Sequence, residues 1–198
     1  SSEIVTACAN HIEANRPIGA TVTVKSAQAL PINVNANVSI GAETTLDTVK
    51  TEFTTLCFDP AKIRAHDLHE IYPDYILISH ESMDHMDPAQ VYILQKRKNC
   101  YIVCSIASAI DLYQAFPDDS DFKNSIHPFL PGSIMRIGNI IIHAEKSLHC
   151  DYMMPLVFKI YLLEEQISLL HLFDSLLSDE IIELSKNASV TIIPIGIA

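Results

Sequence analysis

The sequence predicts an α/β fold. From residue 74 onward an apolar strand, a capped helix, a second strand and a second helix follow one another. That order demands parallel pairing with the helices laid on the sheet face. After residue 130 the chain turns strand-rich and carries two hairpin signals, while segments before residue 60 alternate apolar and polar residues as half-buried strands do.

Taken in order, Ile4, Cys8 and Ile12 recur at a spacing of four and predict a short helix over 3–15, ended by Arg16-Pro17-Ile18-Gly19. Thr21–Val24 and Val34–Ile40 read as strands, and Phe53–Phe58 as another that closes on the turn signal Asp59-Pro60. Tyr75–Ile78 is a buried strand. Asp87 caps a helix with Pro88 at its first position, and Lys96, Arg97 and Lys98 suit the negative end. Tyr101–Cys104 is the next strand, and Ile106–Phe116 a helix stopped by Pro117. Ile134–Ile137 and Ile140–His143 flank Gly138-Asn139, a tight-turn pair. Leu156–Leu162 and Ile167–Phe173 flank a second turn. Ser178–Lys186 is a helix and Val190–Ile193 a last strand.

Composition narrows the function classes. The chain has 198 residues and 48% hydrophobic content, enough for one sizeable core, and we expect a single domain over 1–198. A net charge of −11 repels phosphate backbones, so nucleic acid is not an expected partner. No apolar run approaches the roughly 18 residues of a membrane span, and the start, Ser1-Ser2-Glu3-Ile4-Val5, does not read as a secretory leader. The five cysteines contain no Cys-x-x-Cys pair and read as buried small residues of a reduced, cytoplasmic protein.

The chemistry concentrates in His80-Glu81-Ser82-Met83-Asp84-His85, directly after the Tyr75–Ile78 strand. Imidazole and carboxylate are the donors that zinc and similar ions accept, and loops at strand ends hold such donors in place. His149 and Asp174 also follow apolar runs. The stretch begins like His-Glu-x-x-His, but its histidines are five apart and follow a strand, which does not suit a helical protease motif. Ser82 has no Gly-x-Ser-x-Gly elbow around it. Glu81 and Asp87 read as solvated or capping groups, and His66, His69, His127, His143 and His171 as structural.

Taken together, His80-x-Ser82-x-Asp84-His85, then His149, then Leu172-Phe173-Asp174-Ser175, resembles the signature of the metallo-β-lactamase fold superfamily, in its lactonase-like branch that includes ascorbate-6-phosphate lactonase. Phe58-Asp59-Pro60 and Ile192-Ile193-Pro194-Ile195-Gly196 are similar to flanking strands of that family. The resemblance covers roughly residues 50–198. It implies a four-layer αββα sandwich, here with a shortened C-terminal half. It further implies that His80 and His149 belong to a first metal site, Asp84 and His85 to a second, and that Asp174 bridges them. The ions would be one or two divalent metals, Zn²⁺ before Mn²⁺ or Fe²⁺. Metal-activated water, oriented by Asp84, would hydrolyse a small-molecule ester, lactone or phosphoester.

The sequence departs from the signature twice. Ser82 stands at the second histidine, and no counterpart of the final histidine follows Gly196. Three readings follow: a metal-dependent hydrolase, a degenerate and non-catalytic binding or assembly module, and a homo-oligomer in which a neighbouring copy completes the site.

Overall fold

The computed structural model describes Thr6, residues 54–148 and residues 154–193. Both long stretches lie within one compact unit, Ala42–Gly196. The expected helix over 3–15 and the strands over 21–24 and 34–40 fall outside the described residues, and the single-domain expectation for 1–198 reaches beyond them.

The described chain runs β1 (Leu56–Phe58), α1 (Ala65–Leu68), β2 (Tyr75–Ile78), α2 (Pro88–Lys98), β3 (Tyr101–Ser105), α3 (Ile106–Ala115), α4 (Ser120–Asn124), β4 (Ile126–Phe129), β5 (Ile134–Ile137), β6 (Ile140–Lys146), β7 (Leu156–Leu162), β8 (Ile167–His171), α5 (Asp179–Ser185) and β9 (Val190–Ile192). The first four strands form an all-parallel sheet in the order β1-β2-β3-β4. The other five form a second sheet in chain order, antiparallel except for β8 and β9.

The inner strand β2 is dry on both faces. Ile76 and Ile78 of β2 pack with Val91 and Leu94 of α2 and Leu112 of α3. Tyr75 and Leu77, one residue out of phase, pack instead against Ile142 and Phe158 of the other sheet. This explains why Tyr75–Ile78 reads as continuously apolar rather than alternating. On the far side, Val157 and Leu170 meet Ile181 of α5. Helices, sheet, sheet and helix therefore make four layers, as an α/β sandwich.

The caps are as expected. Asp87 accepts from the N–H groups of Ala89 and Gln90 at 3.0 and 3.4 Å, with Pro88 at the first position, and Asn99 ends α2 in the left-handed region. Ser178 caps α5. Three elements are new: α1 and α4, which are too short for a period to show, and β4, whose Pro128 masks it. Proline is tolerated there because β4 is an edge strand. β8 stops at His171 rather than Phe173, because Phe173 has φ +49° and cannot continue a strand. Cys100 and Cys104 are buried, as anticipated, and burial pushes the Cys100 thiol up to about 12.

Two local features hold layers together. The Tyr75 hydroxyl donates to the Ile137 carbonyl or Asn139 Oδ1 and accepts from the Asn139 N–H, tying the parallel sheet to the β5–β6 turn. Gly138 in that turn has φ +58°, and a Cβ there would collide with the Tyr75 hydroxyl. Asp119 caps α4 and also accepts from Tyr92 and Lys96 of α2, at 2.9 and 2.7 Å.

Gly138→Ala should therefore lose about 2 kcal/mol or more, from left-handed strain and the collision together. Removing the hydroxyl removes the collision, so denaturant titration of Gly138→Ala with Tyr75→Phe should show a double variant more stable than the two single losses add up to. Asp119 sets an acid dependence. The Lys96 ammonium, with the Phe122 N–H and the Tyr92 hydroxyl, holds its carboxyl down to about 2. Its contribution is present above the ordinary aspartate range and is lost as pH falls from there through about 2. Asp119→Asn should flatten the decline of thermal stability between about pH 4 and 2; an unchanged profile would contradict that role.

Candidate functional site

Parallel strands deliver their carboxyl ends to one edge of the sheet. Phe58 pairs with Leu77, so Asp59, one residue past β1, stands beside Ser79 and His80, just past β2. The Asp59 N–H donates to the Leu77 carbonyl at 2.9 Å, and the backbone turns sharply with φ +42°. This turn points the carboxylate across the end of β2. Oδ1 accepts from the Ser79 N–H at 2.7 Å; Oδ2 accepts from Ser79 Oγ at 2.9 Å and from His85 Nδ1 at 2.6 Å.

Donor bookkeeping then fixes both imidazoles. A carboxylate only accepts, so His85 carries a proton on Nδ1. Ser79 has one hydroxyl proton and gives it to Asp59. The 2.9 Å contact between Ser79 Oγ and His80 Nδ1 is therefore donated by the histidine. One aspartate thus holds both rings in the same tautomer, directly for His85 and through Ser79 for His80. The rings lie 4.2 Å apart, and His80 is buried.

His85 Nε2 faces carboxylates. Asp174 Oδ2 lies at 2.8 Å and Asp84 Oδ2 at 3.8 Å. The Asp59 hydrogen bond holds His85 above the usual imidazole range, the charges of Asp59, Asp174 and Asp84 add to it, and burial opposes them. Asp174 is placed by the left-handed turn at Phe173, whose N–H donates to His171 Nδ1 at 3.0 Å. The Phe173 ring packs at 5.8 Å against Phe58 and 5.7 Å against Phe158, pinning this loop to both strands. Leu148 reaches the same loop; its N–H donates to Ser175 Oγ at 2.9 Å.

Of the sequence-predicted residues, His80, His85 and Asp174 come together. Asp84 sits at their edge, exposed to solvent, with the Ser82 hydroxyl lowering its carboxyl below the usual range. The Ser82 carbonyl accepts from the N–H groups of His85 and Met86 to close the turn. His149 lies outside the described residues. Asp87 is a cap, as expected. Glu81 is a correction: its Oε2 is buried without a hydrogen-bond partner, so this atom is not solvated.

Sequence reasoning read Asp59 only as part of a turn signal and a flanking-strand likeness, and left Ser79 without a role. A signal existed, since an Asp-Pro closing a strand parallel to β2 must sit at the same edge as His80. His171 is half-buried behind the site, 4.4 Å from the Phe58 ring; desolvation keeps it below the usual range despite the carboxylates of Asp59 and Asp174.

Among the described residues no group of three or more His, Cys, Asp or Glu side chains is disposed to hold a metal ion. The donor chemistry still suits a divalent cation. His85 Nε2 and Asp174 Oδ2 converge, and the opposite ring nitrogen is engaged by a carboxylate, the usual support of a ligating histidine. These are two converged donors, one fewer than the three protein ligands of a typical catalytic zinc site.

No protein-family model matches the chain, and no curated protein matches it in sequence. Solved structures do. A novel metallo hydrolase, Igni18, from the hyperthermophilic archaeon Ignicoccus hospitalis superposes with TM-score 0.52 at 17% identity, over 71% of this chain and 60% of that one. The metallo-β-lactamase fold protein YhfI from Bacillus subtilis gives 0.45 at 21% identity, over 60% and 48%. Zn²⁺-bound PqqB from Methylobacterium extorquens gives 0.42 at 8%, over 60% and 44%. The chain spans less than two thirds of each. At such identities the likeness is one of architecture, and the architecture of this chain is the metallo-β-lactamase fold, with two facing sheets flanked by helices.

Proposed function

We propose that the chain is a metal-dependent hydrolase that cleaves a small ester, lactone or phosphoester with water. The observation that carries this reading is the Asp59–His85–Asp174 relay at the carboxyl edge of the parallel sheet, with contacts of 2.6 and 2.8 Å. The superposed archaeal structure is itself described as a metallo hydrolase, which supports the same class.

His85 and Asp174 would hold a divalent cation, Zn²⁺ first and Mn²⁺ or Fe²⁺ next, with the His80 ring beside His85. Bound there, such a cation lowers the pKa of water and polarises the scissile oxygen. Asp59 fixes the ring orientation. Asp84, exposed at the rim, would orient water through its carboxylate. From the family resemblance alone we assign His149 as the further donor. The lactonase-like branch belongs to the same proposal.

A second reading has its own support. Ser82 stands where the signature has its second histidine, and no described group of three donors is disposed to hold a metal. On that reading the chain is a degenerate binding or assembly module of the same fold.

Metal analysis separates the two. Protein purified after exposure to Zn²⁺ or Mn²⁺ should retain about one ion per chain or more, and His85→Ala should lose it. Asp59→Asn should keep the fold but weaken affinity roughly 10- to 100-fold, because the imidazole loses its orienting carboxylate. Ser82→His should raise occupancy. Metal-free protein with no thermal shift on adding either ion would establish the degenerate reading.

A further inference from the structure

His85 stands at the carboxyl edge of the parallel sheet; the amino edge has a polar recess of its own. There α2 ends and β3 begins, and α4 ends and β4 begins. Asn99 is the left-handed cap of α2, Tyr101 opens β3, and Asn124 and Ser125 close α4. With Gln95 and Asp121 these residues line a recess of about 310 Å³. The Ile102 N–H donates to the Ser125 carbonyl at 2.8 Å and joins the two loops.

Gln95 is the informative member. It is 2% exposed, and its Oε1 is buried with no hydrogen-bond partner. The other buried residues of α2, Val91 and Leu94, are aliphatic. An orphaned buried oxygen costs stability that an aliphatic side chain of the same length would not cost. The fold makes no use of this amide oxygen, and it lacks a donor.

The rest of the lining is rich in acceptors and negative. The recess lies at the C-terminal end of the 11-residue α2, the end that favours cations. Asp121 forms no ion pair among the described residues and reaches Lys96 only as a longer-range charge. Ser125 Oγ gives its proton to the Phe122 carbonyl at 2.6 Å and is left to accept. The nearby cations are occupied elsewhere. Lys96 pairs with Asp119 and Lys98 with Asp74, each at 2.7 Å. Lys123 donates to the Pro117 carbonyl at 2.7 Å, and Arg97 lies over the Tyr72 ring.

We propose that this recess binds a small primary alkylammonium ion. Such a head group carries three N–H donors and one positive charge. Gln95 Oε1, the Asp121 carboxylate and Ser125 Oγ are the acceptors that would share them, and the charge offsets Asp121. The site is separate from His85 and independent of the hydrolase reading.

The test uses the full chain, ¹⁵N-labelled and without added metal, titrated with butylammonium chloride at constant ionic strength. The side-chain amide signals of Gln95, Asn99 and Asn124 report on the recess. The expected dissociation constant is on the order of 1 mM. Butanol lacks the charge, butyrate inverts it and tetramethylammonium lacks N–H donors, so none of them should match it. Asp121→Asn should weaken binding roughly two- to fivefold. Gln95→Met should weaken it about tenfold or more and raise the Tm of the free protein, because the orphaned oxygen is gone. Butylammonium that does not bind, or that binds no better than butanol or tetramethylammonium, overturns the proposal. So does unchanged binding in Gln95→Met, or a Tm that falls there, since the amide would then serve the fold. If that variant does not fold, Asp121→Asn and the ligand series still decide. Nα-acetyllysine amide carries the same head group. Its tighter binding would identify a protein lysine as the source of the cation, and tighter butylammonium a free amine; either upholds the site.

Discussion

The Asp59 carboxylate is the constraint on which the site depends. It is largely withdrawn from water, and a carboxylate in that position is tolerable only when its oxygens are met by donors. Three donors meet it: a backbone N–H, a hydroxyl and an imidazole. Each comes from the segment that follows β2, so one side chain just past β1 sets the course of the chain from Ser79 to His85. Remove the carboxylate and the Ser79 N–H loses its acceptor, the Ser79 hydroxyl turns elsewhere, and both histidines lose their tautomeric assignment. The cost of an orphaned buried donor, about 1–3 kcal/mol, would be distributed over the same few residues.

Backbone strain marks the same place. Asp59 at φ +42° and Phe173 at φ +49° both occupy the left-handed region, and they set the two loops that meet at His85. Asparagine and aspartate enter that region readily; a phenylalanine does not. The strain at Phe173 is of order 1–3 kcal/mol. Its ring is buried against Phe58, Phe158 and His171, and burying a phenylalanine contributes a comparable amount. Glycine would relieve the backbone and forfeit the packing. The aromatic contacts hold Asp174 at His85, where a glycine at 173 would leave the loop less constrained.

How far the sequence disclosed this depends on which physical signal each part emits. Buried strands and capped helices announce themselves through local composition: Tyr75–Ile78, Asp87-Pro88 and Gly138-Asn139 were all legible because their cause lies within a few residues. Short elements such as α1 and α4 carry too few residues for a period. β4 was hidden by Pro128, whose place at an edge is a tertiary fact. In the site, the histidines and Asp174 were legible as donors at strand ends. The roles of Asp59 and Ser79 were not, because each is defined by a partner 20 residues away across a strand pair. Ser82 shows the reverse case. Its identity was plainly a departure from the signature, but only the structure shows that its carbonyl closes the turn by accepting from the His85 and Met86 N–H groups.

Charge explains why an imidazole should sit among so many acids. His85 is met by Asp59 on one ring nitrogen, and by Asp174 at 2.8 Å and Asp84 at 3.8 Å on the other. A singly protonated ring would oppose its Nε2 lone pair to the Asp174 oxygen, so the contact requires a positive partner between the two atoms, either a second proton or a cation. The proton satisfies the geometry in isolation; the Asp59 hydrogen bond holds the ring above its usual range, and the charges of Asp59, Asp174 and Asp84 add to it. A divalent cation satisfies it with more charge, and it would offset the second carboxylate as well.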